Sequence, residues 1–286
     1  HFRDNQDYGV IVCGTARPTI ANNRVTGHKL PAIAIRDEAG GTIMGNCLWE
    51  NAGYGIVVCG SGQPLVEANN VRAHKLPGIA VMDQAKAIVR GNLLEDNEGV
   101  GIAVNNTAQP ILEGNTLRFN KRTWSSADGD GQDGDPASRR WVKRAAIAIR
   151  DQASGIVRAN ILDGNDGYGI LVCDRAWPTL EGNDLREHRR AAIAIQDHAE
   201  AVLLGNRMEG NYCDILVCGA ARPTLKGNVP VKRRRLVLSV QDRTEGFAGR
   251  DELLHQDEKS MVSACGTELL PSGFGGSSSC SASSRG

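Results

Sequence analysis

Three aspartates recur at a spacing of 23 residues, Asp151, Asp174 and Asp197, each two positions after a pair of aliphatic residues such as Ile147 and Ile149. If each interval is one turn of a coil, the carboxylates stack about 4.8 Å apart, the distance between neighbouring strands. Carboxylates so close raise one another's pKa, attract a cation, or divide into the acid and base of polysaccharide cleavage. Arg150 and Arg175 stand beside them, and a segment that interrupts the pattern at 123–144 enters next to the column, where it would wall a cleft. The same position holds Asp37, Asp83, Asn106 and Asp242 in other units. Asp is also a common turn residue, so a column that follows the repeat reads first as a turn device and second as a site.

The elements that carry these aspartates are repeats. Units beginning at Tyr8, Pro31, Tyr54, Pro77, Val100, Ala145, Tyr168, Ala191 and Cys213 align at a period of 23 residues, with one insertion and one 22-residue unit. The third and fifth positions are aliphatic throughout, from Val10/Val12 to Ile215/Val217, which is a short strand showing one face to a core. Two further aliphatic columns run from Ile20 to Leu225 and from Val25 to Met208. Three strands per coil therefore feed one narrow interior.

Between the last two columns every unit carries an asparagine: Asn23, Asn46, Asn69, Asn92, Asn115, Asn160, Asn183, Asn206 and Asn228. Asn accepts the left-handed backbone of a sharp corner, and stacked amides bond to the coils above and below. The column predicts a structural ladder. The fold expected is all-β, a right-handed single-stranded parallel β-helix of nine to ten coils over residues 1–242, each rising about 4.8 Å. Phe2 to Asn5 matches Leu94 to Asn97, so the solenoid is expected to continue upstream. Residues 243–286 lose the period and predict a cap followed by a disordered Ser/Gly-rich tail.

Composition agrees. The 286 residues include only 4% aromatics, as a core of stacked aliphatics requires, and 33 Lys+Arg balance 33 Asp+Glu. Zero net charge removes the basic footprint of a general nucleic-acid or membrane-surface binder, and no apolar run is long enough to span a bilayer. No metal or cofactor is called for. His28, His74 and His188 alternate with Asn51, Asn97, Asn120, Asn165 and Asn211 in a second corner column. Histidines two coils apart are about 9.6 Å from each other, too far to share a metal. The acidic run from Asp128 to Asp135 fails as a calcium loop, with Gln132 at the third ligand position and Arg139 where the bidentate Glu belongs. Cys13, Cys59, Cys173 and Cys218 also lie two coils apart, beyond disulfide reach, and there is no CxxC. This usage predicts a reducing, intracellular compartment, cytoplasmic or nuclear.

A second outward feature is the fourth position, apolar in every unit: Ile11, Ala34, Val57, Ala80, Ala103, Ala148, Leu171, Ala194 and Leu216. A continuous apolar stripe is either covered or used for docking.

The units resemble the pectin-lyase-like superfamily, and within it the β-helix of F-box-only ubiquitin-ligase adaptors. Gly55-Ile56-Val57-Val58 with Pro64 to Val71, and Gly101-Ile102-Ala103-Val104 with Pro110 to Leu117, carry the resemblance. It implies a non-catalytic domain for protein recognition. Ile11, Val57, Leu171 and Leu216, flanked by Tyr8, Tyr54 and Tyr168, would then contact a ubiquitylation substrate or other protein partner, and ligase subunits would bind through a region outside this sequence. The alternative is a carbohydrate-active enzyme, a lyase, hydrolase or epimerase, using Asp151, Asp174 and Asp197.

Overall fold

The computed structural model describes residues 1–120, 145–231 and 238–241, side chains of 239–241 excepted. The insertion at 123–144, the basic run at 232–235 and the cap and tail over 243–286 lie outside the described residues.

Each coil contributes three short strands, in the first coil Val10–Val12, Thr19–Ala21 and Arg24–Thr26. Each strand pairs in parallel with its equivalent one coil on, so that Val10 lies against Ile33, Ile20 against Ile43 and Val25 against Leu48. The result, among the described residues, is three parallel sheets of ten, nine and ten strands. The first contains Val10–Val12 and its equivalents, the second Thr19–Ala21, and the third Arg24–Thr26. Phe2–Arg3 pairs with Val25–Thr26 as the end of a preceding coil.

The interior is one continuous cluster built from the aliphatic columns, with Ile33, Ile35, Ile79, Leu94, Ile102 and Leu117 fully buried. Burying one such side chain is worth about 1.5–3 kcal/mol. Small residues at the corner after the first sheet, among them Ala39, Ala85, Ala108, Ala153 and Ala199, let the chain turn into the next sheet and are likewise buried.

The asparagine ladder is present along the rod. Asn69 shows the repeating unit: its Oδ1 accepts both the backbone N–H and the Nδ2 of Asn46, and its own Nδ2 donates to Asn92 Oδ1 and to the carbonyls of Ile43 and Glu67. Asn228 closes the series by accepting from Asn206. The left-handed residue of the corner is not the asparagine, as the sequence suggested, but the one before it. Asn22, Gly45, Ala68, Gly91, Gly114, Ala159, Gly182, Gly205 and Gly227 all have positive φ. The asparagine amide is bonded to its equivalents in the coils on either side.

The second corner column works the same way. Asn97 Oδ1 accepts the His74 N–H, and the Nδ1 of His74 and of His28 face the backbone N–H of Asn51 and Asn5. Neutral histidine thus replaces an amide, presenting Nδ1 as the acceptor while Nε2 of His74 lies 3.1 Å from the Leu48 carbonyl. Burial lowers the pKa of His74 and of His188 to about 4, which holds them in this neutral form.

Candidate active site

The aspartate column lies on the turn between the first and second sheets. The chain leaves the strand, passes one more outward residue, and reverses at a position that is left-handed in every described coil: Gly14, Asp37, Gly60, Asp83, Asn106, Asp151, Asp174, Asp197 and Gly219. For a residue with a Cβ this conformation costs about 1–2 kcal/mol, and Gly, Asn and Asp tolerate it best. The aspartates offset part of that cost locally. Oδ2 of Asp151 accepts the N–H of Asn106, Oδ2 of Asp174 that of Asp151, and Oδ2 of Asp197 that of Asp174, at 2.7, 3.0 and 3.1 Å. Asp37 and Asp83 cap Gly14 and Gly60 identically. The turn reading is therefore correct for one carboxylate oxygen of each. Oδ1 is left without a hydrogen-bond partner among the described residues.

Position along the rod separates the three from the rest. Asp37 is stacked between Gly14 and Gly60, whereas Asp151, Asp174 and Asp197 follow one another without a gap. With Gln152, Arg175 and His198 they line an open groove of about 460 Å³. Carboxylate oxygens of Asp174 and Asp197 and the sulfur of Cys173 all lie within 4.8 Å of one another. Arg150 Nε stands 3.8 Å from Asp174 Oδ2, outside hydrogen-bond range, and has no hydrogen-bond partner among the described residues.

Cys173 is a poor nucleophile in this setting. Burial first, and the neighbouring Asp174 next, push its thiol up to about 12, so it remains protonated, its sulfur 3.8 Å from Asp174 Oδ2. The chemistry available to the groove is that of two adjacent carboxylates with a guanidinium behind one of them. His198 was not singled out from the sequence. Its signal was there, since it follows Asp197 and stacks above Arg175 as Arg175 stacks above Gln152.

The apolar stripe is placed differently from the expectation. Leu171 is fully buried and Val57 is 6% exposed, and Ala34, Ala80, Ala103, Ala148 and Ala194 are buried with them. They form a second hydrophobic cluster on the outer side of the first sheet, joined by Tyr168 and Cys173 and flanked by Tyr8, Tyr54 and Leu216. Only Ile11, at 46%, is clearly exposed. Tyr168 is fixed by its neighbour Arg190, whose NH1 donates to the phenol oxygen and whose guanidinium lies 5.2 Å from the ring centroid.

Comparison with known proteins gives a family and a fold. The family model described as "Right handed beta helix region" matches residues 1–123 and 125–229. No curated protein sequence gives a significant match. Among solved structures, the chain is similar to the alginate lyase from Paenibacillus sp. strain FPU-7, with a TM-score of 0.60 and 13% identity, over 82% of this chain and 86% of that one. At that identity the likeness establishes the fold. It also corrects the adaptor reading: the named neighbour is a polysaccharide-active enzyme, not an F-box adaptor. The repeat pattern that suggested an adaptor is the geometry of the coil itself, which any member of this fold must share.

Proposed function

We propose that this chain, which belongs to the right-handed β-helix family, is a polysaccharide-cleaving enzyme whose reacting carboxylates are Asp174 and Asp197. The observation that carries the reading is their convergence within 4.8 Å in an open groove, on a turn where glycine serves as well in other coils. The similarity to an alginate lyase supports the substrate class at the level of polysaccharide.

One oxygen of each carboxylate lies within 4.8 Å of one of the other, which is the closest approach of the two groups, and on that ground we read the reaction as hydrolysis with retention. Retaining glycosidases hold their two carboxyl groups about 5–5.5 Å apart, whereas inverting enzymes need about 6.5–9.5 Å to admit a water between them. Asp174 is the nucleophile in this scheme. The Arg150 guanidinium stands 3.8 Å from its Oδ2, which accepts the N–H of Asp151. Its free Oδ1 attacks the anomeric carbon as the glycosidic oxygen leaves with a proton from Asp197. Asp197, for which no ion pair is present among the described residues, then takes a proton from the water that releases the sugar. Asp151 continues the acidic wall and holds the N–H of Asn106, which places it as a binding and positioning residue.

The test is the product. Incubation with a polysaccharide panel should release new saturated reducing ends whose anomeric configuration matches that of the substrate, followed by NMR during the first turnovers. Inversion, or an unsaturated product absorbing in the ultraviolet, would refute the assignment, the latter pointing to elimination.

A further inference from the structure

On the same coils, beside the aspartate groove and across the corner on the second sheet, lies a second hollow of about 540 Å³ whose lining includes Gln109, Ser154, Gly155, Trp177, Thr179 and Glu200. We propose that it is a glycan-binding groove for a neutral oligosaccharide, with Trp177 as its stacking platform. The substrate class rests on the proposed polysaccharide cleavage; the binding groove itself does not.

The hollow is a consequence of one coil. Gln109, Ser154, Trp177 and Glu200 occupy the same position in successive coils, stacked by N–H bonds of 3.0–3.1 Å to the carbonyls of Ala85, Ala108, Ala153 and Ala176. Ser154, only 4% exposed, is the shortest of them and forms the floor. The next residue, Gly155, has φ +106°, and a Cβ there would stand 2.3 Å from the Pro110 carbonyl. Two small residues thus sink the surface by a side chain's depth between Gln109 on one side and Trp177 on the other.

Trp177 is 56% exposed, and among the large hydrophobics of the described residues only Tyr212 is more so. An indole left open at the rim of a recess exposes a flat apolar face and an N–H donor together, which matches a sugar ring with its C–H face and peripheral hydroxyls. Serine and threonine hydroxyls, the Gln109 amide and the Glu200 carboxylate supply both donors and acceptors for those hydroxyls.

The charge selects among saccharides. Among the described residues Glu200 is the only ionisable one lining the hollow, and Asp151, Asp174 and Asp197 line the neighbouring groove on the same coils. Lys86 and Arg222 stand one coil beyond either end of the Gln109–Glu200 column. A polyuronate laid here would set its carboxylates against these acids, so an uncharged chain is the complementary ligand.

The test is binding, read by tryptophan fluorescence and calorimetry, with gluco-, manno-, xylo- and galacto-oligosaccharides against oligogalacturonate and oligomannuronate. The wild type should bind at least one neutral oligosaccharide and reject the uronates. Trp177→Ala should weaken that binding about tenfold or more, as for the loss of an aromatic anchor, and Trp177→Phe should restore part of it. Absence of neutral-glycan binding, indifference to Trp177→Ala, or Trp177-dependent binding of the uronates would each overturn the proposal. Trp177-dependent binding in a protein that cleaves nothing would leave this groove standing and remove the carboxylate mechanism.

Discussion

Truncating one rung of the asparagine ladder should cost far more in the middle than at the end. Asn69→Ala removes two accepted and three donated hydrogen bonds from a side chain that is 1% exposed. Several partners retain another bond: Asn46 Nδ2 still reaches the Ile20 carbonyl, and Asn92 Oδ1 still accepts the backbone N–H of residue 69. The groups stripped of a partner are the buried Asn46 N–H and one lone pair of the Ile43 carbonyl. At about 1–3 kcal/mol for each unsatisfied buried group, the cost is about 3 kcal/mol. Asn23→Ala is the control. Asn23 is half-buried, accepts nothing from a described residue, and loses only its donations to Ala21 O and Asn46 Oδ1, worth about 1 kcal/mol or less. In urea, with a slope of about 3 kcal/mol/M, the midpoint followed by circular dichroism should fall by about 1 M for Asn69→Ala and by about 0.3 M or less for Asn23→Ala. Equal small shifts with unchanged slopes would refute the reasoning, because they would mean that the interior rung is no more committed than the terminal one.

Three further outcomes follow from the same structure. His74 and His188 have folded pKa values near 4, below the unfolded value of 6.5, so the unfolded chain binds protons first as pH falls. Stability should be fully present above about 6.5 and decline toward 4, by up to about 3 kcal/mol per histidine; His74→Asn, the residue used at Asn51 and Asn97, should flatten that slope in urea titrations across the range. Cys173, buried and with its thiol near 12, should resist iodoacetamide at neutral pH while the exposed Cys13 and Cys47 react, as mass spectrometry of timed samples will show. Gly155→Ala forces a Cβ against the Pro110 carbonyl at positive φ and should lower stability by more than 1 kcal/mol, whereas Gly182→Ala, also at positive φ but with open space around it, should cost less.

The fold was legible because a solenoid writes its geometry once per coil. Ile33 and Ile35, Ile43, Leu48 and Asn46 each recur at the same offset, and parallel pairing in register turns every column of sequence into a column of space. What the period did not carry was anything that depends on neighbours outside a column. The left-handed corner was placed one residue late because the unvarying asparagine drew the assignment, although glycine occupies the preceding position in six of the nine described coils. The stripe through Val57 and Leu171 alternates as an exposed face would. Its burial comes from lateral packing in a second cluster with Tyr168 and Cys173, which no single-strand pattern contains. At the site, Asp151, Asp174 and Asp197 were visible as residues and their spacing was correct, but their double use, one oxygen for the turn and one for solvent, needed the coordinates. Trp177 and His198 were missed because each occurs in one coil only, and a reading built on repetition passes over single departures.

The central claim is that the carboxylate pair, and not the turn it sits on, performs the chemistry. It is tested most directly by comparing the polysaccharide turnover of Asp174→Asn with that of Asp37→Asn, two variants that alter the same left-handed position and the same coil-to-coil cap. Both should remain folded by circular dichroism. Asp174→Asn should lose activity by at least about a thousandfold, as expected when a covalent nucleophile is removed, while Asp37→Asn retains wild-type rates. Equal activity in the two folded variants, at the wild-type level, would contradict the account and return the whole column to architecture.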